Sequence, residues 1–169
     1  MKRGYDTLET TLLGEIGVIV NDEGVEEVCL TKECFESYLQ EHPELQRDEV
    51  LCEEAIKQIK EYFAGERLVF DLPLAIEGTP FRKKVWEALR KIPYGETRSY
   101  GDIAKSIDNP KAVRAVGSAN KANPIPLIIP CHRVIGSAGK LVGFMGCRTD
   151  LQALLLQHEQ AVIKQREKQ

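Results

Sequence analysis

The sequence predicts a two-lobed α/β protein of the α+β kind. A small antiparallel sheet with one helix is expected over residues 1–75, and a mostly helical lobe with a helix-turn-helix over residues 76–169. Three observations carry this prediction. The first thirty residues hold short β-branched runs joined by a turn. From Thr79 onward the apolar residues recur at helical spacing. The charge also changes sign, from 19 acids against 7 bases in residues 1–80 to 4 acids against 12 bases in residues 81–140.

In chain order, "TTLLGEIGVIV" and "VEEVCL" read as strands, and "NDEG" between them supplies the Asp and Gly of a tight turn. "DEVLCEEAIKQIKEYFAG" sets Val50, Leu51, Ala55, Ile56, Ile59 and Phe63 on one helical face, with Gly65 as a stop. "LVFDLPLAIEG" is extended linker or edge strand, because Pro73 cannot donate to a ladder. In "TPFRKKVWEALRKI", Thr79 caps, Pro80 takes the first helical position, and Phe81, Val85, Trp86, Leu89 and Ile92 form an apolar stripe. "PYGET" is a turn. Two short helices follow, Ser99 to about Ile107 and about Lys111 to Asn120, parted by "DNP". After "NPIPLIIPCHRVIG" comes a glycine-punctuated loop, "SAGKLVGFMG", and then a final amphipathic helix with a polar tail.

Composition narrows the function classes. At 169 residues and 43% hydrophobic the chain can bury one core or two small ones. No apolar run reaches the ~18 residues of a membrane helix, and "MKRGYDTLETTLLGEIG" lacks the apolar segment of a signal peptide. A cytoplasmic location is expected, or a nuclear one in a eukaryote. The five cysteines are odd in number and form no CxxC pair, so free thiols are expected rather than a disulfide framework or a zinc knuckle. The basic middle segment suits a polyanion, although on charge alone a solvated face is an equal reading. Lys105, Lys111, Arg114 and Lys121 on the short helix pair favour nucleic acid.

Cys131 and His132 are the candidate chemistry. A thiol attacks as its thiolate and needs a base or a positive field beside it. Adjacency alone does not bring His132 to the sulfur, since neighbours on an extended strand point opposite ways. If the chain turns after Pro130, His132 reaches the sulfur directly or through a water, and a carboxylate is then needed to orient the ring. The competing reading is a small buried thiol at a strand end.

Taken together, "TPFRKKVWEAL", "IPYGETRSYGDIA", "NPKAVRAVGSANKANP", "PCHRVIG", "GKLVGF" and "LLLQHE" resemble the O6-alkylguanine-DNA alkyltransferases, in order and nearly in spacing, over residues 79 to 159. The resemblance implies a ribonuclease H-like first lobe and a winged helix-turn-helix-like second lobe. It implies a single-turnover methyltransferase that moves an alkyl group from O6 of guanine in double-stranded DNA to Cys131, with O4 of thymine as a second candidate donor. No cofactor and no metal are implied for this chain, because Cys29, Cys34, Cys52 and His42 lack ligand spacing.

Roles follow residue by residue from the same resemblance. Cys131 is the acceptor, His132 its base by way of a water, and Glu159 the orienter of the imidazole. Tyr100 donates to N3 of the leaving guanine. Arg114 enters the duplex from the minor groove and replaces the flipped nucleotide, while Ala112, Ala115, Gly117 and Ser118 permit close approach. Asn123 ties the recognition helix to the reactive segment. The carbonyls of Cys131 and Val134 accept the exocyclic amine of guanine, and Phe144 and Met145 border the pocket. Binding is expected to be largely independent of sequence, by a monomer. This chain departs from the family's G-Y-x-G-G loop: Phe144 stands for the tyrosine, Cys147 for the second glycine, and one residue is added before "LLLQHE". Two other classes compete, a non-reacting DNA binder and a cysteine hydrolase built on Cys131, His132 and Glu159. The cysteine itself opposes the first, and the absence of an evident oxyanion arrangement opposes the second.

Overall fold

The computed structural model describes residues 2–141 and 148–168. The chain divides into two compact units, Met1–Ile76 and Glu77–Gln169.

In the first unit, strands β1 (Arg3–Thr10), β2 (Gly14–Asn21) and β3 (Gly24–Cys29) form an antiparallel sheet in that order. The run read as one strand from Thr10 is in fact broken. Thr10 Oγ1 donates to the Gly14 carbonyl and accepts from Leu13 N, closing a hairpin whose Gly14 lies at φ 79°. β1 therefore comes from "RGYDTLET", where polar residues obscure the alternation. Every residue from Ile16 to Val20 is buried, so both faces of the sheet are covered.

Two helices do this where one was expected. α1 (Lys32–Glu41) is capped by Thr31, whose side chain accepts from Cys34 N, and it packs Phe35 over Ile19. Its apolar face is narrow, which hid it in the sequence. α2 (Glu53–Phe63) starts later than its apolar spacing suggests: Asp48 Oδ1 accepts from Leu51 N in a turn, leaving Val50 80% exposed. The buried aromatic of α2 is Tyr62 rather than Phe63. Residues 73–75 add one bridge to β3, in which the Pro73 carbonyl accepts from Val25 N and Ala75 N donates to the Val25 carbonyl.

The second unit opens with α3 (Pro80–Arg90), capped by Thr79 and burying Val85, Trp86 and Leu89. A two-residue strand β4 (Arg98–Ser99) runs straight into α4 (Tyr100–Ser106), where Ser99 and Asp102 make a reciprocal capping box. α5 (Val113–Lys121) completes the helix-turn-helix, with Asp108 at φ 58° in the turn. The indole nitrogen of Trp86 donates to the Ala119 carbonyl at 2.8 Å and fastens α3 to α5. A short 3-10 turn over Cys131–Arg133 leads into β5 (Val134–Ile135), and α6 (Thr149–Glu167) closes the unit. No helix among the described residues is long and apolar enough to cross a membrane.

Candidate active site

Segment 123–131 is folded by its own polar groups. Asn123, just past the end of α5, accepts from Ile125 N through Oδ1 and donates from Nδ2 to the Ile129 carbonyl at 2.9 Å. Ile129 N closes a turn on the Ile125 carbonyl, and Cys131 N also bonds the Ile129 carbonyl. Leu127 is buried in this turn at φ 76°, a left-handed conformation that a branched side chain adopts only when its surroundings impose it. The parallel pairing of Arg98 with Val134 and of Ser99 with Ile135 sets the start of α4 beside the reactive segment. Tyr100, the first residue of α4, directly follows that pairing.

Cys131 is 3% exposed. Burial pushes its thiol up to about 12, against the opposing pull of hydrogen bonds from the Asn123 amide and from the backbone of Cys131 and His132. The resting nucleophile is a neutral thiol. His132 and Glu159 are fully buried, with His132 Nε2 2.7 Å from Glu159 Oε2. Burial holds the imidazole below its ordinary range, and the hydrogen bond and charge of Glu159 oppose that only in part. The ring is therefore neutral, and with Nε2 donating to the carboxylate, Nδ1 carries the lone pair. Nδ1 has no hydrogen-bond partner among the described residues.

Glu159 is the most heavily bonded group of the site. Besides His132 it accepts from Arg133 Nε at 2.9 Å, from Arg133 Nη2 at 3.0 Å and from Gly95 N at 3.1 Å. Burial alone would raise its pKa. The donors from His132 and Arg133 overcome that and hold the carboxyl well below the usual range. Arg133 also donates to the Ile92 carbonyl at 2.8 Å and lies over the Tyr94 ring. Gly95 sits at φ 79°, and a Cβ there would come within 1.9 Å of Ile163 Cδ1, so the turn that meets Glu159 requires glycine.

The structure thus brings Cys131, His132, Glu159, Asn123, Val134 and Tyr100 into one region of the second unit, with Asn120 Nδ2 3.4 Å from the Tyr100 hydroxyl. Arg114, Ala115 and Ser118 lie on exposed positions of α5, with Gly117 half-buried on that helix and Ala112 half-buried at its cap. Phe144, Met145 and Cys147 fall outside the described residues. Sequence reasoning missed Arg133 and Gln152. Gln152 is fully buried and spans from α6 to the carbonyls of His132 and Val134. The signal was available: Gln152 and Glu159 are seven residues apart, hence on one face of a helix that otherwise buries Leu151, Leu155 and Val162. No group of His, Cys, Asp and Glu side chains among the described residues is arranged to hold a metal ion.

The chain resembles known proteins along nearly its whole length. It is 44% identical over 167 residues to the constitutive methylated-DNA–protein-cysteine methyltransferase of Bacillus subtilis, covering 96% of this chain and 99% of that one. It is 59% identical over 106 residues to a methylated-DNA–protein-cysteine methyltransferase of Methanosarcina acetivorans, covering 63% and 67% of the two chains. The crystal structure of the O6-methylguanine methyltransferase of Mycobacterium tuberculosis superposes with a TM-score of 0.81 at 39% identity, over 95% of this chain and 94% of that one. The same organism's protein in complex with DNA superposes at 0.82 and 38% identity, over 94% of each. Residues 4–76 match the ribonuclease-like domain of 6-O-methylguanine DNA methyltransferase, and residues 80–161 match its DNA-binding domain. With both domains matched in order, and with a buried cysteine, histidine and glutamate gathered in the second, the chain belongs to the 6-O-methylguanine DNA methyltransferase family.

Proposed function

We propose that this chain repairs DNA by direct reversal, taking a methyl or larger alkyl group from O6 of guanine onto Cys131. The observation that carries this reading is a buried thiol at Cys131 followed in sequence by a buried imidazole whose Nε2 is held 2.7 Å from Glu159 Oε2 and whose Nδ1 has no hydrogen-bond partner among the described residues. The thiol proton passes through a water to His132 Nδ1 while Sγ attacks the alkyl carbon on O6. The carbon–oxygen bond breaks and its electron pair stays on the base. Tyr100 donates its phenol proton to N3 as that charge develops and is reprotonated at the expense of the protonated His132, so that in net terms the thiol loses one proton and guanine gains one. Burial holds the Tyr100 phenol above its ordinary pKa, which keeps it in the protonated form a donor needs. The thioether that forms offers no leaving group to water, and each molecule reacts once.

Double-stranded DNA is the partner in this reading. The alkylated base is unreachable inside the stack, so it is flipped out at a cost of a few kcal/mol, less for a weakly paired lesion. Arg114, exposed on α5, fills the vacated position from the minor groove. Ala112, Ala115, Gly117 and Ser118 keep that helix slim, and the bases around it hold phosphates without reading sequence. Phe144 and Met145 border the flipped base, and the Cys131 and Val134 carbonyls accept its amine. The protein acts as a monomer. Cys29, Cys34, Cys52 and Cys131 are free thiols, as suits a reducing compartment such as the cytoplasm.

Incubation with duplex DNA carrying O6-methylguanine tests the proposal. One adduct per molecule, heavier by a single CH2 and located on Cys131, is expected. Continued release of product identifies a hydrolase, and binding without an adduct identifies a non-reacting binder.

A further inference from the structure

Gln152 lies in the first turns of α6 and is fully buried. Its amide nitrogen donates to the Val134 carbonyl at 2.8 Å and to the His132 carbonyl at 3.2 Å. Its amide oxygen finds no hydrogen-bond partner among the described residues. The orientation of the amide is therefore fixed by its two acceptors, because the flipped arrangement would point an oxygen at two carbonyl oxygens. A buried polar side chain with one end unsatisfied is rare and calls for a reason. The two carbonyls supply one: they belong to the segment that carries Cys131, and one donor holds both from α6.

We infer that Gln152 is a positioning residue that sets the Val134 carbonyl for reading the exocyclic amine of guanine. This rests on the proposed function, in which Val134 accepts that amine. A carbonyl oxygen has two lone pairs. Gln152 takes one and thereby fixes the direction of the other, so that a base carrying an amine at the right place completes the carbonyl and a base without one leaves it half used. Discrimination of this kind, by a buried polar group left unpaired, is stronger than discrimination by shape. The same clamp on His132 holds the backbone of the base, but that part serves every substrate alike.

The test compares transfer rates to Cys131 from duplexes carrying O6-methylguanine and O6-methylhypoxanthine, which is the same base without the amine. Wild type is expected to prefer guanine. In Gln152→Met, which keeps volume and removes the donor, the preference is expected to fall about fivefold, the scale of one hydrogen bond. Gln152→Ser also loses the reach to Val134 with little packing strain, and it carries the same reading should the methionine variant not fold. A merely structural role for Gln152 slows both substrates alike, and an unchanged ratio in the variants overturns the inference. A wild type that transfers but shows no preference removes the role of Val134, and a wild type that makes no adduct removes the proposed function itself.

Discussion

Cys131 and Cys34 are two thiols in opposite circumstances. Cys34 is half-buried in the first turn of α1, where the Cys29 thiol's hydrogen bond draws its pKa below that of an ordinary cysteine while burial opposes. Cys131 is almost completely buried and its pKa is pushed up to about 12. By exposure alone Cys34 is the more accessible thiol. Yet no imidazole–carboxylate pair is seen beside it among the described residues, whereas Cys131 precedes a histidine held by a carboxylate that also accepts from Arg133 and Gly95. In the proposed function the acceptor is therefore a shielded, neutral thiol that loses its proton when substrate and base are in place, rather than the thiol that is more open to solvent.

The largest expected effect breaks the comparison outright. Cys131→Ser should abolish transfer while leaving DNA binding intact, and Cys34→Ser should leave the transfer rate unchanged, both read by adduct mass spectrometry and a gel-shift titration. Retained transfer in the first variant, or lost transfer in the second, would reverse the assignment of the acceptor.

His132→Gln removes the base and should slow transfer by about a hundredfold or more at neutral pH. The pH dependence sharpens the point. In wild type the base is neutral, and it is lost only as pH falls through a His132 pKa held below its ordinary value, so the rate should drop on the acid side of about 6.5. In the variant the rate should instead climb with pH toward the thiol's own ionisation near 12. Parallel profiles would mean that His132 takes no proton.

Access is the second half of the contrast. In the proposed function duplex DNA delivers its base to the shielded Cys131 by extrusion, so Arg114→Ala should slow repair of duplex by about tenfold, with much less effect on free benzylguanine, which needs no flipping. Equal losses on both substrates would remove Arg114 from that role. At the small end of the scale, methylated protein should melt a few degrees below the free form. Added volume in a tight site costs about 1 to 3 kcal/mol, and the adduct disturbs the hydrogen bonds from Asn123 and the local backbone. Paired melts read this directly, and an equal or higher midpoint would show a pocket already shaped for the adduct.

Acid should also reveal how much the buried network contributes to stability. The folded-state pKa of His132 is lowered, so below about 6.5 the unfolded chain binds a proton that the folded one refuses, and stability falls. Glu159 is also lowered, so its contribution is present above about 4.3 and is lost as pH falls further.

Much of this was legible in the sequence because local chemistry and long-range structure agree. Thr79–Pro80 caps α3, the 79–92 stripe is its buried face, and "PCHRV" contains the cysteine–histidine pair whose histidine the structure sets against Glu159. What was hidden depends on partners far along the chain. α1 has Phe35 as its only fully buried side chain, so it shows little periodicity. β1 carries polar residues at many positions and is identified by pairing with β2. Val50 fits a helical stripe by spacing, yet the Asp48 turn keeps it out of the helix. The resemblance names Glu159 as the orienter of His132, but that Arg133, 26 positions earlier, also pairs with it is visible only in the fold.

Trp86 is the chain's single tryptophan, and its indole is anchored in the interior on a carbonyl of α5. The protein therefore contains its own optical gauge of α5, the helix proposed to meet DNA. Emission from this one site reports the seat of α5 without any added dye. A shift toward longer wavelength, on binding a duplex or after the thiol is spent, would time the moment that helix leaves its place.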